Sequence, residues 1–445
     1  MPRMNSPWLD PSRCGSDQVT LIVFTLRYPF ADYAEVFLDT EMQYLADFDR
    51  VIFCHFGKER NDVRPEALAR INAIVDVIGV PIIRGHTWAL WMRALLVLPA
   101  AGPDLLREVM ARAKHSGRRR PTLAVIGPSV LGILKLRIQA AVLKDELSPL
   151  LARSRVPVFY SYWFAGGAYL AGLLADELGG KAVARAHAFD VYDDIYGYRY
   201  FHSCSIRRLD AVFACSEHGM NRLRVELPDY STRIHRAYLG TRSPAALPVT
   251  PSHHCEAFHV LTCANVNPGK RLERVVDALS LTTCGPIHWT HIGGPDAEMI
   301  ALREYASERL RSRPEITSDF LGFLSNEEVT TYYESSHVDL FVSTSDHEGL
   351  PVTMMEAMSF GVPVVGTDVG GVAEIVRDNV NGFIVPIDDA VEDRFAQVID
   401  RVCSADAQTI SALRSNAKQT WHEHFRAESN YSRFFRYLSS LRIQA

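Results

Sequence analysis

The stretch Ser345-Asp346-His347-Glu348-Gly349-Leu350-Pro351-Val352-Thr353-Met354-Met355-Glu356 decides how this chain is read. Before it, Leu340 to Thr344 is a short apolar run of strand type. After it, Ala357 to Phe360 continues a helix and Gly361 to Gly366 returns to strand. The unit is a strand–loop–helix–strand of a parallel sheet. Its loop lies at the carboxyl edge of a strand, where open α/β sheets bind ligands. Pro351 suits the first turn of a helix, because its missing N–H is no loss there. The other N–H groups of that turn face the loop, and a helix N-terminus favours an anion such as a phosphate. Glu356 lies about 7.5 Å along the helix axis beyond Pro351; Glu348 precedes the helix. A carboxylate accepts two hydrogen bonds side by side, which suits neighbouring sugar hydroxyls. Two carboxylates flanking an anion site therefore suit a diphosphate with a sugar at each end, a nucleotide sugar. The plainer reading, two solvated charges at a helix cap, fits any random glutamate pair.

A chain of 445 residues points to two or three domains. Apolar content of 47% with 22% charge belongs to a soluble globular protein. A net charge of −5 leaves no nucleic-acid footprint. The 8 cysteines are scattered without a C-x-x-C, so reduced thiols are expected rather than a disulfide framework or a zinc site. The first residues have no apolar core of a secretory signal, and no apolar run reaches the ~18 residues that span a bilayer. The expected location is the cytoplasm.

Val19 to Thr25 reads as a buried strand, Ala34 to Leu45 as a helix and Val51 to Cys54 as a second strand, a Rossmann-like start without G-x-G-x-x-G. Asp47-Phe48-Asp49 has the form of a D-x-D metal motif but reads as a polar loop. His86 to Leu150 is the least regular part. It combines the apolar runs Trp88 to Leu98 and Leu131 to Leu143 with the basic Arg112 to Arg120. Such segments lie on an anionic membrane surface or form an ordinary solvated helix face. Val183 to Ala186 suits a short strand, which puts Arg185, His187 and Asp190 at or past its carboxyl end. Thr241 to His254, with three prolines, reads as a linker. Beyond it, Ala264 to Arg271 nearly spaces a Walker A loop. However, Ala264 replaces a glycine and Arg271 replaces the Ser/Thr that would hold Mg²⁺.

Glu348 to Glu356 resembles the E-x7-E region of retaining glycosyltransferases of family four, which have the GT-B fold. The resemblance continues through Gly370-Gly371-Val372-Ala373-Glu374 and Asn381-Gly382-Phe383. Phe37 and Glu41, and the pattern Arg185-x-His187-x-x-Asp190-x-Tyr192, resemble its exopolysaccharide and colanic-acid branch. The resemblance implies an α/β fold of two Rossmann-like, doubly wound domains facing across a cleft. It implies an acceptor-binding domain over 1–240, a linker over 241–257, a donor-binding domain over 258–420, and a helix over 421–445 that crosses back to the first domain. It also implies transfer of a sugar from a nucleoside-diphosphate sugar to a saccharide or lipid-linked acceptor, with retention of configuration, in polysaccharide biosynthesis.

The resemblance gives the first glutamate, Glu348, to the donor sugar and the second, Glu356, to the ribose. Gly349, Leu350, Pro351 and Thr353 complete the donor loop. The diphosphate segment carries an arginine and, five residues on, a lysine. Lys270 matches the lysine, but Asn265 stands where the arginine is expected, and Arg271 is the candidate substitute. Phe323 and Leu324 follow the glycine beside which the family holds its nucleobase. Arg185, His187 and Asp190 are the expected acceptor or cleft residues. Glu348, His187 and Lys270 are the expected catalytic groups. No metal and no cofactor are expected, and peripheral membrane contact through the first domain at the inner face of the cell membrane is open. Two alternatives are an epimerase-like enzyme on the same fold and an inactive scaffold of a polysaccharide assembly complex.

Overall fold

In a computed structural model of the chain, the described residues are 18–30, 35–45, 47–57, 64–81, 88–117, 121–198, 200–245, 257–294 and 296–442. Most of the linker expected over 241–257 and the arginines Arg118 to Arg120 fall outside them. The chain forms two compact units. The first is Met1–Cys215, Gly219–Ala237 and Tyr431–Ala445; the second is Ser216–His218 with Tyr238–Asn430.

The first unit is built on seven parallel strands: β1 (Thr20–Thr25), β2 (Arg50–His55), β3 (Ile74–Gly79), β4 (Val158–Ser161), β5 (Lys181–Ala186), β6 (Ala211–Ala214) and β7 (Ile234–Arg236). Their order is β3-β2-β1-β4-β5-β6-β7. β1 is buried along its whole length, because helices cover both faces of a parallel sheet. The second unit has β8 (Phe258–Cys263), β9 (Ile287–Ile292), β10 (Ile316–Phe320), β11 (Leu340–Ser343), β12 (Val364–Thr367) and β13 (Gly382–Val385), in the order β10-β9-β8-β11-β12-β13. The strand order reverses between β1 and β4 in one sheet and between β8 and β11 in the other. Crevices outside the carboxyl ends of the strands open at such points.

The segment 86–150, expected to be the least regular part with apolar runs over Trp88 to Leu98 and Leu131 to Leu143, contains two long helices, Trp88–His115 and Leu123–Leu151. Four internal prolines hid their length: Pro99 and Pro103 in one, Pro128 and Pro149 in the other. Packing overrides this local preference. Asp104 is buried and accepts from Arg137 at 2.8 Å, Tyr169 at 2.7 Å and Arg208 at 3.1 Å. Burial alone would raise its pKa, but the bonds from Arg137, Tyr169 and Arg208 outweigh that and hold it low. Leu123–Leu151 is long and apolar enough to cross a membrane by composition, and 44% of its most apolar window is buried in the protein.

The helix Ala427–Ser440 ends in the first unit. There Phe434 packs against Tyr160 and Phe213, and Phe435 against Phe48. Its aromatics are core. In the D-x-D stretch, Phe48 is buried and the Asp49 carboxylate accepts from the Val19 N–H at 3.0 Å.

Candidate active site

The loops that follow β8 and β11 leave the second sheet on either side of its switch point, and they are fastened to each other. Thr344 Oγ1 donates to the carbonyls of Lys270 (3.1 Å) and Arg271 (2.8 Å), and the Asp346 N–H donates to the Gly269 carbonyl at 2.9 Å. The approach at Gly269 is close, since a Cβ there would lie 2.9 Å from the His347 ring. Arg271 adopts a left-handed φ of 50°, uncommon for a side chain of its size. Asp346 holds it in place, accepting from Arg271 Nε at 2.6 Å and from Arg274 at 2.5 Å. Burial alone would raise the Asp346 pKa; the bonds from the two arginines outweigh it and keep the carboxylate ionised.

This clamp brings Lys270 to Glu348, Nζ to Oε1 at 2.6 Å, and both side chains are partly withdrawn from solvent. Ser345 Oγ donates to the same oxygen at 2.7 Å. Among the described residues no hydrogen bond reaches Oε2, which leaves one carboxylate oxygen for a hydroxyl. The helix begins at Val352, with Pro351 as its cap residue rather than its first turn, and no side chain caps it. The Val352 and Thr353 N–H groups therefore have no intrahelical acceptor.

Glu356 sits on the same helix, enclosed by protein but not sealed from solvent. Among the described residues its carboxylate has no hydrogen-bonding or ionic partner. Burial pushes its pKa from 4.5 to about 7. A carboxylate kept at such cost, without a partner, marks a functional site more often than a structural one. The Leu350 side chain is core, which limits its contribution to backbone groups. Gly371 must stay bare, because a Cβ there would lie 2.2 Å from the Gly349 carbonyl oxygen. Of the nucleobase candidates, Phe323 is 51% exposed, whereas Leu324 packs against the core. Asn265 is exposed and its amide makes no hydrogen bond among the described residues. Arg271, offered as the replacement cation, is committed to Asp346.

The first unit corrects two expectations. Arg185 is not at a ligand surface. It is fully buried, 3.6 Å from Glu41, with its guanidinium 4.2 Å from the Phe434 ring centroid. Side chains alternate across a strand, and Arg185 falls on the face covered by the last helix. Asp190 is buried too, and its carboxylate accepts from the His187 N–H at 3.0 Å. It caps a turn.

His187 follows β5 at the carboxyl edge, between the rings of Tyr162 and Trp163. Its Nε2 lies 3.1 Å from the Tyr162 carbonyl and its Nδ1 lies 3.4 Å from Cys215 Sγ. A carbonyl only accepts, so Nε2 carries the proton and Nδ1 accepts from the thiol, a tautomer assigned from the network. Burial, then the charge of Arg185, lowers its pKa to about 3. Burial also keeps the thiol protonated, pushing Cys215 up to about 12. The imidazole is neutral with both nitrogens engaged, so the structure offers no free ring nitrogen for acid–base work.

The sequence reading missed Glu35, whose carboxylate accepts from the N–H groups of Leu26, Arg27 and Tyr28 and from Trp163 Nε1, each at 2.7 to 2.8 Å. It orders the loop after β1 beside the loop after β4. Three of its partners are local backbone groups in no recognised motif, and the fourth, Trp163, lies 128 positions away.

Residues 256–420 match the family described as Glycosyl transferases group 1. The chain is 26% identical over 178 residues to the amylovoran biosynthesis glycosyltransferase AmsK of Erwinia amylovora, covering 38% of this chain and 42% of that protein. It is 28% identical over 229 residues to the lipopolysaccharide core biosynthesis mannosyltransferase LpsB of Rhizobium meliloti, covering 47% and 62%. The chain thus spans less than two thirds of either relative. Among solved structures it is similar to Anabaena HepE in complex with UDP, with a TM-score of 0.65, 18% identity, and coverage of 95% of this chain and 100% of that one. The match places a glycosyltransferase group 1 domain in the second unit, and the two Rossmann-like units give the chain the GT-B fold.

Proposed function

We propose that this protein is a retaining, metal-independent glycosyltransferase. It moves a sugar from a nucleoside-diphosphate sugar to a saccharide or lipid-linked saccharide in bacterial polysaccharide or glycoconjugate biosynthesis. The observation that carries this reading is the Lys270–Glu348 pair at the switch point of the second sheet, beside an uncapped helix N-terminus. HepE, solved with UDP, shares the fold.

In this reading the donor diphosphate lies against the Val352 and Thr353 N–H groups and draws Lys270 toward itself. Both stabilise the charge that grows on the departing diphosphate, the kind of preorganised electrostatic effect that usually dominates catalysis. Because Lys270 and the helix supply the positive charge, no metal is required. Glu348 orients the donor sugar through Oε2, and Glu356 accepts from the ribose hydroxyls. Glu348 is tied to Lys270 and Ser345, which suits an orienting carboxylate better than a covalent nucleophile, so attack from the leaving-group side is favoured over a double displacement. His187 acts by shape, presenting its ring edge beside Trp163.

A thermal-shift screen against UDP-, GDP- and ADP-sugars, followed by product analysis with and without saccharide acceptors, tests the proposal. Stabilisation by one donor and transfer with retention are expected. Lys270→Ala should lower turnover about 100-fold or more while leaving the melting temperature nearly unchanged, because the ion pair is partly exposed. Inversion at the anomeric carbon would exclude the retaining mechanism. Activity lost in EDTA and restored by Mn²⁺ would exclude metal independence. Epimerised donor without acceptor would favour the epimerase, and no nucleotide binding the scaffold.

A peripheral contact with an anionic membrane at the cytoplasmic face belongs to the same proposal. On the paired helices Trp88–His115 and Leu123–Leu151, Leu123 is 86% exposed, Leu106 66% and Met110 51%. Exposed Arg107 and Lys114 lie on the same helix, and Arg118 to Arg120 follow in sequence. Apolar residues set among cations suit an anionic interface. Flotation with phosphatidylglycerol vesicles is expected, and Leu106→Glu with Leu123→Glu should abolish it. No flotation at low salt would refute it.

A further inference from the structure

The donor unit holds two cysteines that the proposed reaction does not use. Cys284 lies in the exposed loop between the helix Leu272–Leu281 and β9. Cys403 ends the helix Val391–Cys403. The two are far apart in sequence and adjacent in space. The Asp400 carboxylate accepts from the N–H groups of Thr283 and Cys284, each at 2.9 Å, and from Thr283 Oγ1 at 2.7 Å. Cys403 stands one helical turn beyond Asp400, so both side chains share the face that receives this loop. Cys403 and Asp400 are the groups that the Cys284 thiol faces. Both cysteines are half-buried rather than sealed in the core.

We propose that Cys284 and Cys403 are a disulfide-forming pair that, on oxidation by a peroxide, fastens the helix Leu272–Leu281 to the helix Val391–Cys403. Burial, then the neighbouring sulfur and Asp400, keep the proton on Cys284 and push its pKa up. In the first step the Cys403 sulfur attacks a peroxide oxygen. It displaces water from hydrogen peroxide, which is reduced, and becomes a sulfenic acid. The Cys284 sulfur then attacks the Cys403 sulfur. A second water leaves, carrying the hydroxyl of the sulfenic acid and the Cys284 proton. The net change is loss of one hydrogen from each thiol.

The place of this bridge gives it a consequence. The helix Leu272–Leu281 starts directly after Arg271, and Arg274 on it joins Asp346 of the donor loop to Glu392 in the first turn of Val391–Cys403 (3.7 Å). The two helices are thus tied at the end nearest the donor loop by ions and at the far end by Asp400. A covalent bond at the far end would make the helix pair a fixed wall behind the site. This inference concerns the fold of the donor unit and does not depend on the reaction assigned to it.

The test treats the reduced full-length chain with a small excess of hydrogen peroxide and follows intact mass, non-reducing peptide mapping and thermal unfolding. Expected are a mass loss of two hydrogens, a peptide linking Cys284 to Cys403, and a melting temperature higher by about 3 °C or more, all reversed by dithiothreitol. Cys284→Ser and Cys403→Ser should each abolish the link and the shift. Oxygen addition without a link, a link between other cysteines, or a link with an unchanged or lower melting temperature would each overturn the proposal.

Discussion

Glu356→Gln should make the ligand-free protein more stable at alkaline pH while weakening its hold on the donor. The glutamate proton is lost near 4.5 in an unfolded chain and near 7 in the folded protein, because burial disfavours the charge and no partner compensates. The titratable groups that sense it, Cys263 and Tyr333, are themselves kept protonated by burial, so neither supplies a counter-charge. Between pH 4.5 and about 7 the folded state binds more protons than the unfolded one. Stability therefore falls as pH rises through that window and stays lower above it. At 1.36 kcal/mol per pH unit the full cost at pH 8 is about 3 kcal/mol; residual solvent contact reduces it to about 1–3 kcal/mol. Glutamine keeps the shape and removes the charge. Urea unfolding at pH 5 and pH 8 is the assay, with stability read from the midpoint at constant m-value. The variant should gain about 1–3 kcal/mol at pH 8 and less than about 1 kcal/mol at pH 5. Calorimetry with the donor nucleotide at pH 8 should show at least about a tenfold loss of affinity, the effect of one hydrogen bond to a charged group. An equal gain at both pH values, or none at pH 8, would refute the reasoning.

Other outcomes follow from the packing. Asp104→Asn removes the charge that Arg137 and Arg208 share and should cost about 3–5 kcal/mol in urea unfolding; a loss under about 1 kcal/mol would show the network to be loosely held. Gly371→Ala drives a methyl against the Gly349 carbonyl and should weaken nucleotide binding by calorimetry, whereas an unchanged dissociation constant would mean that the donor loop yields without consequence. The His187 ring resonances should stay flat from pH 5 to 8, because the imidazole is neutral throughout; a midpoint near 6.5 would free it for acid–base chemistry.

Much of the second unit was legible because its chemistry is local. Ser345, Glu348 and Glu356 fall within one strand–loop–helix, and their spacing alone places two carboxylates about a helix N-terminus. The loop around Lys270 is a second local signal. What joins the two, Asp346 gripping Arg271 and Arg274, crosses more than seventy positions and follows no short pattern. Arg271 shows the cost of reading charge from sequence. It was a natural stand-in for the cation missing at Asn265, yet its guanidinium is engaged elsewhere. The length of the helices of 88–151 was hidden for the opposite reason, since internal prolines argue locally against helix, and the Asp104 network that holds them is assembled only from distant residues.

By itself the sequence determined the first strands and the helix between them, the switch-point loops of the second unit and the residue types that meet an anion flanked by sugars. These depend on periodicity and on spacings within one or two turns. Only the tertiary structure decided which side chains are available to a ligand. It buried Arg185 against Phe434, used Asp190 as a cap, engaged both nitrogens of His187, and left Glu356 without a partner. Burial and partnership are set by the element that packs on top, and for Arg185 that is a helix some 250 positions away.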